Sequence, residues 1–215
     1  MLQWWRGHVD GFLEQWFPTS CTRCGSLGGS PCSICIGQFV GAAPIPEILP
    51  LKSVAALLRY DETSRPFIAD LKYHGGWSVA RGLAPALSFL LEDTIGAHHR
   101  DVVLTWAPTT PERARERGFD QAEVLARELA HRSGHRVKRL LRRLPGEHQT
   151  GRNRFERSQG VHFVAVGLVP EVIVVLDDVV TTGSTLAAAA AVLCEAGARS
   201  VFGLALAATP DRPST

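Results

Sequence analysis

Residues 172–185 read Val172-Ile173-Val174-Val175-Leu176-Asp177-Asp178-Val179-Val180-Thr181-Thr182-Gly183-Ser184-Thr185, and the fold follows from this stretch. The apolar, mostly β-branched run 172–176 suits a strand buried on both faces of a parallel sheet. Two adjacent carboxylates follow it, at the end of the strand where open α/β sheets form their ligand crevice. After a two-residue spacer, the hydroxyl-rich turn 181–185 runs into an alanine-rich helix. Gly183 and the hydroxyls let backbone N–H groups wrap an anion at the positive end of that helix. An N-capped helix after an acidic turn would use some of the same residue types. The fourteen-residue combination is more specific, and it describes a site for a ribose 5-phosphate.

Outward from this stretch, strand and helix patterns alternate. Residues 53–60 read as a strand, 65–74 and 78–93 as helices, and 101–107 as a short apolar strand stopped by Pro108. A helix over about 119–132 and a strand near 137–141 follow. Next comes a polar, Arg-rich excursion over roughly 145–163, long enough to serve as a mobile lid. The helix after the motif runs to about Ala196, and a last strand spans 200–207. This alternation predicts an α/β fold, a parallel sheet covered by helices on both sides.

Four of the five cysteines form Cys21-x2-Cys24-x7-Cys32-x2-Cys35. Two such hooks on a short connection suit one tetrahedral structural zinc, and Gly25 suits a tight knuckle. Two disulfides are the alternative, disfavoured because residues 1–17 carry Arg6, Asp10 and Glu14 and do not read as an export signal. Those residues instead show helical spacing of Leu2, Trp5, Val9, Phe12, Leu13 and Trp16. Pro44, Pro46 and Pro50 mark a stiff connector. The expected organisation is therefore an N-terminal helix and zinc-binding module over 1–43, then a larger domain over 44–215. Cys194, alone in the last helix, reads as a small buried residue.

The chain of 215 residues is 45% hydrophobic and 20% charged, and its net charge is +2. Residues 112–158 hold twelve arginines and one lysine against seven acids, a surplus of +6 that leaves −4 on the remainder. A basic middle segment points to an anionic ligand, phosphates or a nucleic-acid backbone, although Arg–Glu pairs on a solvated helix face account for part of it. No run approaches bilayer length, and the expected location is cytoplasmic.

The 172–185 string resembles the ribose-phosphate signature of type I phosphoribosyltransferases. That resemblance implies that Asp177 and Asp178 bind the ribose hydroxyls and that Thr181, Thr182, Gly183, Ser184 and Thr185 hold the 5-phosphate of phosphoribosyl pyrophosphate. Three further stretches resemble the ComF (competence protein F, GntX-like) family. They are Leu71-Lys72-Tyr73-His74-Gly75; Arg113-x3-Arg117-Gly118-Phe119-Asp120-Gln121; and Gln149-Thr150-Gly151 with Arg152, Arg154 and Arg157. With the cysteine hooks, the resemblance spans nearly the whole chain in order. It departs at 105–110, where the family reads Val-Pro and a basic loop and this chain has Thr105-Trp106-Ala107-Pro108-Thr109-Thr110. Asp120 also stands where an Asn is usual.

The resemblance implies a type I phosphoribosyltransferase-like parallel sheet with a small zinc module. It implies magnesium bound together with phosphoribosyl pyrophosphate, the diphosphate being clamped by Arg113, Arg117 and the flap residues Arg152, Arg154 and Arg157, with Lys72 a weaker candidate. Asp177, Asp178 and Arg152 are the expected catalytic residues. His148 and His162 flank the flap, with no assigned role. Two functions are implied, handling of single-stranded DNA alongside competence-machinery proteins and magnesium-dependent phosphoribosyl transfer to an acceptor.

Overall fold

A computed structural model of the chain describes residues 19–73, 76–96, 101–144 and 161–210. The elements run, in chain order, α1 (Ser33–Ile36), β1 (Val54–Arg59), α2 (Arg65–Tyr73), α3 (Trp77–Ile95), β2 (Val103–Trp106), α4 (Pro111–Arg117) and α5 (Gln121–Ser133). They continue with β3 (Arg136–Val137), β4 (Leu141–Arg143), β5 (Phe163–Ala165), β6 (Val172–Val180), α6 (Ser184–Glu195) and β7 (Ser200–Ala208). Five strands form one sheet in the order β1-β7-β6-β2-β3, every pair parallel, while β4 and β5 make a separate antiparallel pair.

Burial on both faces explains why β6 and β7 are nearly unbroken apolar runs. Leu83, Leu87 and Leu91 of α3 and Leu125 and Leu129 of α5 pack with Leu104, Val174, Leu176 and Leu204 on one side. Leu186, Ala189 and Leu193 of α6 pack with Val103, Ile173, Val175 and Val201 on the other, where Leu141 and Phe163 of the β4–β5 pair join them. The crossover from β2 to β3 passes through α5 on the first side, and that from β6 to β7 through α6 on the second. Strand order therefore reverses between β6 and β2, and the carboxyl ends of these two strands flank the crevice where such sheets bind ligands.

The predicted sheet and helices are present, with three differences. The strand expected near 137–141 is divided: Val137 ends the edge of the main sheet, Leu140 donates its N–H to Thr105 Oγ1 at 3.2 Å, and Leu141 begins β4. A short helix, α4, fills the stretch after Pro108, started by Thr110 accepting the Arg113 N–H and by Pro111 in the first turn. The motif strand also runs further than 172–176 and carries both acids within it. The amphipathic stretch 1–17 and most of the expected flap, including Arg152, Arg154 and Arg157, lie outside the described residues.

The cysteine segment is packed against the sheet domain. Cys21 and Cys35 share an apolar cluster with Phe67, Ile68 and Leu71 of α2, and the Phe39 ring meets Phe67 edge-on at a centroid distance of 5.3 Å. Gly82 of α3 permits this approach: a Cβ there would lie 2.6 Å from the Ser30 carbonyl oxygen.

Candidate functional site

The backbone of β6 departs from regular pairing at the acids. Asp177 pairs with Ala205 and Val179 with Ala207, but Asp178 has no ladder partner. Each carboxylate accepts the next residue's amide, Asp178 N–H to Asp177 Oδ1 and Val179 N–H to Asp178 Oδ1, both at 2.8 Å. Such local side-chain bonds replace ladder bonds at the end of a strand.

Asp178 is buried, and two side chains from distant segments meet it. Lys72 Nζ, at the last turn of α2, lies 3.0 Å from its Oδ2. Gln121 Nε2, in the first turn of α5, donates to the same oxygen at 3.3 Å. Gln121 Oε1 accepts from Arg117 Nη1 at 2.9 Å, and the Arg117 guanidinium stands 5.0 Å over the Tyr73 ring. Lys72 and Tyr73 are chain neighbours, so these contacts close a circuit through Asp178. Beside it opens a cavity of about 560 Å³ lined by Lys72, Tyr73, Arg113, Glu116 and Arg117. Three of those five side chains are cations, which suits an anion.

Burial of its carboxyl and the neighbouring Asp178 charge push Asp177 well above the usual carboxylate range. Two acids this close resist joint ionisation unless cations sit nearby. Lys72 is one such cation. Arg143, at the end of β4, is another: its field acts on Asp177 and Asp120, its Nη1 donates to the Pro108 carbonyl at 3.4 Å, and it lies 5.8 Å from the Phe163 ring. Burial and the like charge of Arg113 weaken the hold of Arg143 on its proton.

The turn 181–185 presents Thr181, Thr182 and Ser184 to solvent. Gly183 caps α6 with φ 75°, and the Ile48 side chain packs so closely on it that any Cβ would collide. The left-handed φ is what favours glycine here, since the Ile48 tip can turn aside. Within the turn Thr182 Oγ1 donates to Ser184 Oγ at 3.1 Å and accepts the Ser184 N–H at 3.4 Å. The amides of Thr181, Thr182 and Gly183 donate to no partner among the described residues. A turn with unpaired amides at the head of a twelve-residue helix suits an anion.

Two departures in the sequence take on structural roles. Trp106 points into the core, with Arg127 6.0 Å from its ring, and so stays out of the crevice. Asp120 caps α5 through the N–H groups of Ala122 and Glu123 and also accepts the Thr109 N–H at 2.9 Å, tying the loop after β2 to the helix. Burial raises its proton affinity. Of the other expected residues, Arg113 and Arg117 line the cavity, while Arg152 lies outside the described residues. Arg143 carried no local signal in the sequence, and nor did the pairing of Lys72, a weaker diphosphate candidate there, with Asp178; Gln121 was visible only as part of a family block.

Cys21, Cys24, Cys32 and Cys35 place their Sγ atoms within 4.8 Å of one another. Four thiolates around a tetrahedral zinc at about 2.3 Å would lie about 3.8 Å apart, so the set fits that ion. The Cys24 and Cys32 sulfurs are 3.5 Å apart and all four thiols are free, which excludes a bonded pair, for which about 2 Å is needed. Gly25 has the left-handed φ of 73° expected for the knuckle. The Ser26 hydroxyl and the Cys35 amide bring Cys32 down to about 6, whereas burial and the other sulfurs push Cys35 up to about 12. A divalent cation would offset that mutual repulsion.

No family model matches the chain. It is similar to three curated proteins. Competence protein ComFC of Streptococcus pneumoniae is 28% identical over 149 residues, covering 68% of this chain and 64% of that protein. Competence protein ComFC of Bacillus subtilis is 29% identical over 180 residues, with 82% and 72% covered. DNA utilization protein YhgH of Salmonella typhi is 26% identical over 191 residues, with 84% and 80% covered. The chain thus spans less than two thirds of the pneumococcal relative. Solved structures with a similar course include the allosteric regulatory enzyme of purine biosynthesis, with a TM-score of 0.40 at 20% identity over 64% of this chain and 30% of that one. Orotate phosphoribosyltransferase from Aeropyrum pernix gives a TM-score of 0.34 at 19% identity over 80% and 75%. Purine phosphoribosyltransferase from Pyrococcus horikoshii also gives 0.34, at 16% identity over 61% and 76%.

Proposed function

We propose that the crevice at the ends of β6 and β2 binds phosphoribosyl pyrophosphate, and that the protein is a cytoplasmic ComF-type factor that handles single-stranded DNA together with competence proteins. The observation that carries the ligand reading is the 181–185 turn, with Thr181, Thr182 and Ser184 exposed and the amides of 181–183 unpaired among the described residues, a few residues beyond the carboxylate pair of β6. In this reading the turn holds the 5-phosphate, Asp177 and Asp178 accept from the ribose hydroxyls, and Arg113 and Arg117 hold the diphosphate. Magnesium would enter with the ligand, bound chiefly by phosphate oxygens and water as that ion prefers. Residues 1–43 would form a module held by zinc on the four cysteines, and residues 44–215 the sugar-phosphate domain. The DNA part rests on the relatives' names and on the +6 surplus of residues 112–158.

Calorimetric titration with phosphoribosyl pyrophosphate and magnesium tests the ligand. A one-to-one isotherm is expected, weakened about tenfold or more in Asp178→Ala, since a buried acceptor of sugar hydroxyls is lost. No saturable heat in wild type, or equal affinity in the folded variant, contradicts the reading.

A second reading, phosphoribosyl transfer, is favoured by the cationic cavity beside Asp178. An acceptor atom would form a bond to ribose C1 as the C1–O bond to diphosphate breaks. The electron pair would leave on diphosphate, held by Arg113 and Arg117, and the acceptor's proton would pass to solvent.

A further inference from the structure

Lys72 faces two tasks with one charge. Its ammonium is 3.0 Å from the buried Asp178 carboxylate, and the same side chain lines the cavity with Arg113 and Arg117. Its own side chain is 27% exposed against 10% for Asp178, so the lysine can move toward solvent while the carboxylate stays. Asp178 has a second donor to keep when the lysine moves, Gln121 Nε2 at 3.3 Å. Gln121 is itself steadied by Arg117, so a charge arriving at Arg117 is felt at Asp178 through a single side chain.

Resting on the sugar-phosphate reading above, we propose that Lys72 is an exchangeable counter-ion that makes the site select a C1-diphosphate. A diphosphate competes for the ammonium held by Asp178. Once Lys72 turns to the diphosphate, the carboxylate oxygen it covered is free to accept from a ribose hydroxyl. Ribose 5-phosphate offers nothing to draw Lys72 away, so it meets an occupied carboxylate. Discrimination thus lies in the competition for Lys72 and not in the phosphate turn, which both ligands share. Glu116, on the same cavity wall, disfavours a mispositioned anion by like charge.

The test compares affinities for phosphoribosyl pyrophosphate and ribose 5-phosphate, with magnesium, in wild type, Lys72→Met and Lys72→Arg, each verified as folded by its melting transition. Wild type should prefer the diphosphate strongly. In Lys72→Met the diphosphate should bind roughly tenfold more weakly, the worth of one charge-assisted hydrogen bond, while ribose 5-phosphate should bind as well as before or better. Lys72→Arg keeps a mobile cation and should keep most of the preference. A preference unchanged in folded Lys72→Met overturns the exchange while leaving the sugar-phosphate site standing. Parallel loss of both ligands also overturns it, because that marks Lys72 as general support. Binding of neither ligand to wild type overturns both the exchange and the site.

Discussion

Single side chains decide how the crevice is charged. Asp177 and Asp178 are neighbours, yet their surroundings differ: Lys72 and Gln121 contact Asp178, whereas burial and the Asp178 charge hold Asp177 protonated to higher pH. A carboxyl with higher proton affinity in the folded than the unfolded chain stabilises the fold while both are protonated. That contribution is lost as pH rises through the folded value. Asp177→Asn keeps an oxygen for the Asp178 amide and never ionises. Relative to wild type it should gain stability over the window in which pH rises above the ordinary carboxylate range, read from urea midpoints across that window. A difference that stays flat across the window would show that Asp177 ionises as an ordinary acid. The acid pair itself was legible in the sequence because its neighbours in the chain define it. Its partners were not: Lys72 and Arg143 lie about 106 and 34 residues from it, and only the sheet brings them together.

Between elements, the same distinction separates what local pattern carries from what packing adds. β6, its turn and α6 follow from consecutive residues, and periodicity also marks α2, α3 and α5. The strand near 137–141 could not be read correctly, because Thr105 Oγ1 captures the Leu140 amide and sends the chain from the main sheet into β4. The cysteine hooks were plain from their spacing, whereas their seat against α2 was not. With Cys21 and Cys35 in one cluster with Phe67, and Phe39 on the Phe67 ring, the hooks support the helix that carries Lys72 in its last turn. Stripping metal with a strong chelator should release zinc, about one per chain, and lower the melting temperature by about 5 °C or more, equivalent to about 2 kcal/mol in a chain of this size. An unchanged transition in fully stripped protein would mean the four thiols hold the segment unaided.

For the molecule as a whole, the layout is one parallel sheet whose strand order reverses at β6 and β2, with cationic side chains gathered beside the reversal. Charge counted along the chain pointed to an anion but not to its place. The fold gathers Lys72 of α2, Arg113 and Arg117 of α4 and Arg143 of β4 at the carboxyl end of the sheet. None of the helices among the described residues is long and apolar enough to cross a membrane. The most direct measurement follows the backbone N–H signals of Thr181, Thr182 and Gly183 by nuclear magnetic resonance as phosphoribosyl pyrophosphate and magnesium are added. Phosphate binding at this turn predicts that these three amides shift downfield together and saturate with the calorimetric affinity, as amides do when a phosphate accepts from them. Saturable binding that leaves the three signals in place would contradict it, because the ligand would then sit somewhere other than this turn.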